Sequence, residues 1–596
     1  MLHVSAPLAP PAPRPGARVA LGLGLLTPAV LALLWSYVAP TVTTVLGSFQ
    51  DFRLTEAEEY IGFQNYDAVW QSGVGGRFGF AIVLALAPLA VGLVVAPLLA
   101  VAAQLGGRSA RWVVRGLLAL PLATYAPVAY AVGWATSRRE FHDQAQPRGW
   151  VLSEVAWTTA GLALAVGVTI YLAALRTPSV PAVPQPVPPA TAGYPPTVAE
   201  RPATGPSVGR RVGAFVVGGI VLALGVLALS LQTFTGPFVL SAGVGPAETP
   251  LTFMISSAFR TFGFGPGYAE STLLLIVLAV LGIAAVVVLL ATRTRIELED
   301  GPGNGRVRRP AWFGVVIGLV LALVALGYGA WPWLHTSGTA GTSPVDFSPW
   351  RALLHTWAPP LLPAVVGVLF AALAGFGIGA VRPFGRRSEL LLLPFAPWLF
   401  VGVGPLVLAH FNRAGDADSV GTFLGSIPPG WISIPALVVF TLFFRGQHGR
   451  GARGVRLLVP ALPMVGIAVV LHWVLGAQGL IWQYATTIDG DSAATTLHAA
   501  RTLQNFQAVP NPALSWILPI PIAVVLFALA LAAQLAYLDR LALRIGEQGA
   551  PALPPPPASS FPPQPMPAGA PAGDGQGQIS NSSRQTATST TKHHSA

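Results

Sequence analysis

About twelve apolar stretches, each close to the roughly 20 residues that a helix needs to cross a bilayer, dominate this sequence. No Asp, Glu, Lys or Arg interrupts any of these stretches. A helix satisfies its backbone hydrogen bonds internally, which the interior of a bilayer requires because it holds no water. The sequence therefore predicts an all-α polytopic membrane protein with about twelve transmembrane helices.

The predicted spans fall into two sets of six. The first set covers residues 19–48, 78–105, 116–137, 155–175, 212–234 and 271–292, and the second covers 311–334, 357–381, 390–410, 427–444, 457–477 and 513–538. We expect two permease-like halves at 19–292 and 311–545, in parallel orientation and joined by a charged cytoplasmic linker at 293–310. Residues 1–18 form a cytoplasmic N-terminal segment, and 546–596 form a Pro/Ser/Thr-rich cytoplasmic tail that we expect to be disordered.

Composition excludes several classes of function. Hydrophobic residues make up 53% of the chain and charged residues 10%, which is too few charges for a soluble protein. Cysteine is absent, so disulfides, thiolate metal sites and cysteine nucleophiles are excluded. The only lysine is Lys592, so the membrane-spanning part has no Walker A loop. The arginines are dispersed through short loops, so no nucleic-acid partner is expected.

The distribution of arginines predicts the orientation of the spans. Cytoplasmic loops retain Arg and Lys during membrane insertion. Arginines precede the first predicted span and occupy every even-numbered connection, whereas odd-numbered connections hold few arginines and most of the carboxylates. We therefore predict that both termini face the cytoplasm in a multi-pass protein of the cell inner (plasma) membrane.

The predicted spans contain few titratable groups. Proton-coupled transporters usually carry such groups inside the membrane, because the transported charge needs a titratable partner. No predicted span contains a carboxylate, and His472 is the one histidine well inside a span, where we expect a helix–helix hydrogen bond. An energy source outside this chain is therefore favoured. We predict no enzymatic activity and no catalytic, cofactor-binding or metal-ligating residues.

Three segments of the first half share a pattern of glycine, proline and aromatic residues. They are Ser48-Phe49 with Gly62-Phe63-Gln64-Asn65-Tyr66; LLALPLATYAPVAYAVGW at 117–134; and Gly243, Gly245-Pro246, Thr249, Ala258-Phe259 and Gly267-Tyr268-Ala269. They resemble, in order, the SF…VGLxNY, LP…P…W and TxGGPxxxT…YxxAF…GYAxA signatures of maltose-type carbohydrate ABC importer permeases. The second half resembles the companion membrane subunit by span count and layout, and by Arg453-Gly454 before LLVPALP at 457–463.

The resemblance implies two fused membrane subunits that form the translocation pathway of an importer for sugars or related small solutes. The implied partners are membrane lipid, separate ABC ATPase subunits, and an extracytoplasmic solute-binding protein that docks on residues 236–268. Sugar sites use aromatic faces, so Tyr125, Tyr130 and Trp134 are candidate pathway residues. Helix packing or interfacial anchoring is the alternative role for each of them.

Coupling to the ATPases requires, in this family, a cytoplasmic loop with an EAA…G pattern that forms a short helix. The candidate residues are Glu200, Gly205, Arg210 and Arg211 in a proline-rich first loop, and Arg445, Arg450, Arg453 and Arg456 in a second loop without an acidic residue. Neither loop is a clean copy of the pattern. A degenerate permease that scaffolds or regulates other membrane proteins without transporting therefore stays open.

A membrane-embedded glycosyltransferase that uses a lipid-linked sugar is the alternative from another class. Such enzymes place a catalytic carboxylate in the first outer loop, and the candidate general bases in that loop are Asp51, Glu56, Glu58, Glu59 and Asp67. The permease-like segments enclose these acids, and no Asp-Asp or Glu-x-Asp pair occurs among them. A solvated outer loop is the simpler interpretation.

Overall fold

Apolar helices account for most of the described chain in the computed structural model. The structure describes residues 15–51, 59–137, 147–176, 208–241, 245–299, 307–338, 348–450, 452, 455–488, 493–504 and 512–546. All of them belong to one compact unit. The tail predicted at 546–596 lies outside the described residues beyond Gly546, so the prediction of its disorder stays a prediction.

The described residues of the first half form thirteen α-helices and the strands β1 and β2. The helices are α1 Pro15–Leu33, α2 Ala39–Gly47, α3 Gln64–Gln71, α4 Val74–Ala90, α5 Ala96–Leu105, α6 Gly107–Leu117, α7 Ala119–Ala123, α8 Pro127–Ser137, α9 Pro147–Leu175, α10 Val208–Leu231, α11 Thr235–Ser241, α12 Pro250–Phe259 and α13 Phe264–Ala291. Strands β1 (Gln50–Asp51) and β2 (Glu59–Tyr60) form an antiparallel pair between α2 and α3.

Ten further α-helices occur in the described residues after strand β3, Arg295–Leu298. They are α14 Ala311–Gly338, α15 Pro349–Trp357, α16 Leu361–Phe376, α17 Val407–Asp416, α18 Ile434–Gly449, α19 Val455–Leu458, α20 Leu462–Ala477, α21 Ile481–Thr486, α22 Thr495–Gln504 and α23 Ile520–Ala532. Strand β4, Leu541–Arg544, is the last element of the described chain.

Nine helical segments within the described residues are long and apolar enough to cross a membrane, or ten if one sharply bent pair counts as a single span. The prediction of a helical polytopic membrane protein is confirmed at this level, and the count of twelve stays a prediction. The difference lies mainly in two predicted spans. The predicted span 390–410 falls on a 3₁₀ segment, Gly385–Trp398, followed by a turn and α17. The predicted span 427–444 falls on α18, which has only 16 residues and is therefore short for a membrane-spanning helix. Pro394 and Pro397 remove backbone donors from the 3₁₀ segment, which prevents a continuous α-helix.

Prolines also explain two irregularities inside the long spans. A π-helical turn at Leu34–Val38 joins α1 to α2, and another at Val91–Val95 joins α4 to α5. Each turn ends just before a helix whose second residue is proline, Pro40 or Pro97. Proline lacks an N–H and its ring clashes with the carbonyl four residues earlier, so the preceding turn widens.

The sharpest break separates two helical pieces, Gly107–Ala123 and Pro127–Thr136, whose axes differ by 72°. Thr124 ends the first piece and Pro127 begins the second. The break places a non-helical backbone segment within an otherwise apolar span. In a bilayer, such backbone is stable only where other protein elements cover it or where it borders a water-filled cavity.

The two predicted halves pack closely against each other. Helix α14 of the second half lies against α5, α8 and α9 of the first half, and α16 lies against α1. The 3₁₀ segment Gly385–Trp398 packs along α13. The hydrophobic core therefore runs through both halves, and each half contributes side chains to its two largest clusters.

A small antiparallel sheet joins the ends of the two predicted halves. Strand β3 follows α13, and strand β4 follows the last span, with Arg295 opposite Arg544 and Leu298 opposite Leu541. The Arg450 side chain donates a hydrogen bond to the Leu298 carbonyl at 2.7 Å. Connections predicted to be cytoplasmic therefore meet at one end of the helix bundle.

Candidate functional site

Of the three predicted pathway residues, Tyr125 lies in the break before α8, and Tyr130 and Trp134 lie on α8, where the two halves meet. The Tyr130 hydroxyl donates to the Thr124 carbonyl at 3.1 Å, and its ring packs edge-on against Trp333, with ring centres 5.6 Å apart. The Trp134 indole donates to the Gly329 carbonyl of α14 at 3.2 Å. Tyr125 lies in the break itself and packs against the same core.

A close backbone approach fixes this contact between α8 and α14. A Cβ atom added at Gly133 would come within 2.6 Å of the Trp333 backbone, a distance that real Cβ atoms do not tolerate. The Trp333 indole in turn donates to the Leu514 carbonyl at 3.3 Å. Tyr130 and Trp134 therefore have well-defined packing and hydrogen-bonding roles at the interface, and their role in a pathway stays a prediction.

The segments that carry the first and third resemblance signatures meet in space. The Ser48 hydroxyl lies 2.7 Å from the Tyr66 hydroxyl, and the buried Asn65 amide donates to the carbonyls of Ser48 and Gln50 at 3.0 and 2.9 Å. Gly265 at the start of α13 leaves space that the Asn65 side chain fills, since a Cβ there would clash with it. Residues about 200 positions apart in the sequence thus form one assembly, at the bundle end opposite the β3–β4 sheet.

Two buried charged side chains, Arg77 and Glu270, and the partly buried Glu248 form a cluster next to this assembly. The Arg77 guanidinium bonds Glu270 through two atom pairs, at 3.0 and 2.8 Å, and lies 3.5 Å from Glu248. It also stacks over the Phe253 ring at 3.8 Å and donates to the Ser72 carbonyl. Burial raises the pKa of the Glu248 carboxyl, and the charge of Arg77 opposes this shift.

The expectation that no span contains a carboxylate is wrong. The observed helical spans extend beyond the predicted ends and include Glu154 in Arg148–Leu175, Glu270 in Phe264–Ala291 and Asp539 in Ala513–Arg540. Glu154 is buried and accepts a hydrogen bond from the Thr158 hydroxyl at 3.3 Å, and no Arg or His forms a salt bridge with it among the described residues. Sequence reasoning missed these acids because each lies at the charged margin of an apolar stretch.

His472 and the acids of the first outer loop have less definite roles. The expected helix–helix hydrogen bond of His472 does not form among the described residues. Asp51 stands opposite Glu59 in the β1–β2 ladder, and Asp67 is exposed in the first turn of α3. Glu56 and Glu58 lie outside the described residues.

The predicted coupling residues are only partly described. Glu200, Gly205 and Arg453 lie outside the described residues. Arg210 and Arg211 lie in the first turn of α10, and Arg456 is exposed in α19.

The two remaining arginines of the second candidate loop form ion pairs within the chain. Arg445 bonds Glu389 at 2.7 Å, and Arg450 lies 3.8 Å from Glu299. Burial lowers the pKa of the Arg445 guanidinium, and the Glu389 carboxylate opposes that shift. These two side chains therefore hold the end of α18 against the linker and the 3₁₀ segment.

A second cluster of charged side chains consists of arginines around Asp539, at the same end of the bundle as the β3–β4 sheet. Arg111 and Arg115 come from α6, and Arg176 follows α9. All three approach the Asp539 carboxylate, at 3.5, 3.1 and 3.7 Å, and a small cavity lies among them. The only sequence signal for this cluster is the basic character of the loops.

No group of three or more His, Asp or Glu side chains arranged to hold a metal ion occurs in the described part of the chain. The sequence matches no protein-family model and no curated protein sequence.

Proposed function

We propose that this chain is the membrane-spanning permease component of an ATP-binding-cassette importer for sugars or related small solutes. It would combine two membrane subunits in one chain of about twelve spans with both termini in the cytoplasm, while separate subunits hydrolyse ATP. The observation that carries this proposal is the contact between the segments around Asn65 and Gly265. Two matches to permease signatures, remote in sequence, lie together in the fold.

The distribution of charge supports the proposed orientation. Arginines from the connections after the second, fourth, sixth, tenth and twelfth predicted spans gather at one end of the bundle, around the β3–β4 sheet. Anionic lipids and the insertion machinery both favour that sign of charge on the cytoplasmic side. The broken span at Thr124 leads into α8, which packs against α14, so an irregular backbone element lies near the interface of the halves, as in transporter pathways.

The proposal is tested by purifying the chain from its native membrane in mild detergent, identifying stoichiometric partners by mass spectrometry and assaying ATP hydrolysis. We expect an ABC ATPase and an extracytoplasmic binding protein, with hydrolysis stimulated by a solute. Arg456→Glu should reduce recovery of the ATPase, because Arg456 is an exposed residue of the second candidate loop. Arg309→Glu is the matched control, since Arg309 is exposed in the linker outside both loops. Recovery of the intact chain without an ATPase would exclude the importer.

One structural observation favours a second candidate, the degenerate permease that does not transport. Arg445 and Arg450 of the second loop are engaged by Glu389 and Glu299 of the same chain, and the β3–β4 sheet lies beside them. A surface held in this way is less able to follow an ATPase as it closes. This candidate predicts co-purification with other membrane complexes and no solute-dependent ATP hydrolysis.

A further inference from the structure

Three aromatic side chains are exposed at the bundle end opposite the β3–β4 sheet, on the segment that joins α2 to α4. Tyr60 ends strand β2, Phe63 directly precedes α3 and Trp70 lies in the last turn of α3. They are 75%, 68% and 76% exposed. Single exposed apolar residues are ordinary, but three large rings so close in sequence indicate a surface that something other than water covers.

Helix α3 has three sides of different composition. Val69 is fully buried on the side that packs against α13. Phe63 and Trp70, two turns apart, share a second side, and the exposed Gln64 and Gln71 share a third side, about 100° further round the helix. A helix surrounded by water and protein needs only two kinds of side. A helix at the edge of a bundle in the membrane surface needs three, for protein, lipid and water.

Contacts with neighbouring elements fix the orientation of α3. The Phe63 ring packs edge-on against Phe49, with ring centres 5.3 Å apart, and lies 5.8 Å from the Tyr66 ring. The buried Asn65 amide donates to the Ser48 carbonyl at 3.0 Å, which ties the first turn of α3 to the end of α2. The aromatic side therefore cannot turn inward without breaking these contacts, and its exposure is a fixed feature of the fold.

The spans on either side place α3 at the depth of the lipid headgroups. The spans Gly16–Gly47 and Val74–Leu105 have 32 residues each. At about 1.5 Å per residue each is about 48 Å long, so a span centred on a hydrocarbon core of about 30 Å ends less than about 10 Å beyond it. Helix α3 ends two residues before Val74. Leu46, in the last turn of α2, is 59% exposed, so the apolar surface of the spans continues up to this segment.

We propose that α3 is an interfacial helix that binds the phospholipid surface of the leaflet opposite the β3–β4 sheet, with Tyr60, Phe63 and Trp70 inserted among the headgroups and the upper acyl chains. The glutamines of α3 face water. Tyrosine and tryptophan favour this layer because the ring is apolar while the O–H or N–H still reaches a polar partner. Asp67 lies between the aromatic and glutamine sides, where its exposed carboxylate reaches water. The inference does not depend on the importer function, since it concerns only how the chain sits in the bilayer.

The test uses single-cysteine variants of the full chain, which contains no cysteine of its own. Phe63→Cys and Trp70→Cys place an environment-sensitive fluorophore on the aromatic side, and Gln64→Cys and Gln71→Cys place it on the glutamine side as matched controls. Each labelled variant is reconstituted into vesicles of phosphatidylcholine and phosphatidylglycerol. Quenching of its fluorescence by aqueous iodide is then compared with quenching by a nitroxide carried on the lipid.

Labels on the aromatic side should be quenched by the lipid nitroxide and protected from iodide, at a depth of about 5–10 Å into the headgroup and acyl boundary. Labels on the glutamine side should show the reverse. Equal quenching by iodide on both sides would overturn the proposal. Protection of the aromatic side from both quenchers would place another protein surface there and would overturn it as well. If Phe63→Cys does not fold, because its ring packs on its neighbours, Trp70→Cys and Tyr60→Cys decide the matter.

Discussion

Arg77 and Glu270 form a paired ion contact between helices α4 and α13, 193 residues apart in sequence. Nε of Arg77 bonds one carboxylate oxygen and Nη2 bonds the other, and both side chains are almost fully buried. The pair lies beside Phe253 and the turn at Ser72, which complete the guanidinium's contacts. The ends of two long spans are therefore joined by a geometry that only arginine provides.

Removing one member of this pair should destabilise the protein strongly. Arg77→Ala leaves the Glu270 carboxylate buried without its cation, and a loss of about 3–5 kcal/mol is expected for a broken buried pair. Thermal or denaturant unfolding in detergent measures the loss. Arg77→Lys should be intermediate, because an ammonium group cannot make both bonds. Arg309→Ala, at an exposed arginine, is the control, and an equal effect at both positions would contradict the role assigned to the pair.

The contact between α8 and α14 should not tolerate a larger residue at Gly133. A Cβ atom there meets the Trp333 backbone, so Gly133→Ala forces the two helices apart. Overpacking of this kind costs about 1–3 kcal/mol. Gly327→Ala on α14 is the matched control, since a Cβ at Gly327 has no neighbour within 4 Å. We expect a lower unfolding temperature for the first variant and no decrease for the second, and the same decrease in both would contradict this interpretation.

Asn65 should be important for stability. Its amide donates to the Ser48 and Gln50 carbonyls, and its side chain fills the space beside Gly265. Asn65→Ala would leave two carbonyls without this donor, at a cost of about 1–3 kcal/mol for buried groups. Gln64→Ala is the control one residue away, because Gln64 is exposed. Unfolding temperatures that are equal in the two variants would show that the assembly contributes little.

The sequence predicted the class of fold because length and apolarity alone decide whether a helix can cross a bilayer. It predicted the approximate position of most spans for the same reason. It failed at residues 390–410, where hydropathy is high but Pro394 and Pro397 impose 3₁₀ geometry. Hydropathy measures the solvent that a segment prefers, and it does not report backbone geometry.

Pairing between remote residues was the other feature beyond the reach of the sequence. Glu270 and Asp539 lie at the margins of apolar stretches, where a charge is ordinary for a residue at the membrane surface. Only the packing of α4 against α13, or of α6 against the last span, shows that each acid is buried against an arginine. The arginine clusters likewise depend on which loops meet, which the distribution of charge along the chain does not specify.

Stability should depend on pH through Glu248. Burial raises the pKa of this carboxyl in the folded state, with a further contribution from Glu270, while Arg77 opposes the shift. The folded state therefore holds the proton more tightly than the unfolded state, so the corresponding stability is present at low pH and is lost as pH rises through the folded pKa. The Glu248→Gln variant does not lose this stability as pH rises, because a glutamine amide does not titrate. The unfolding temperature of Glu248→Gln minus that of the wild type should be larger at about pH 7 than at about pH 5. A smaller difference at about pH 7 would contradict the assignment.

The same substitution should have opposite consequences at two buried acids. Glu270→Gln leaves Arg77 facing a neutral amide, so it should lower stability by several kcal/mol, as expected when a buried pair loses one charge. Among the described residues, the Glu154 carboxyl group has the Thr158 hydroxyl as its one hydrogen-bond partner, and it lies against Gly236, next to Val155 of an apolar cluster.

A neutral amide of the same shape removes the cost of burying a charge at position 154, so Glu154→Gln should match or exceed the wild-type unfolding temperature. Side-by-side unfolding of both variants at neutral pH in one detergent measures the contrast. A large loss of stability in Glu154→Gln would mean that the carboxylate is ionised and paired in the membrane. In that case Glu154 would have to be regarded as a charged functional group, as acids inside membrane spans commonly are.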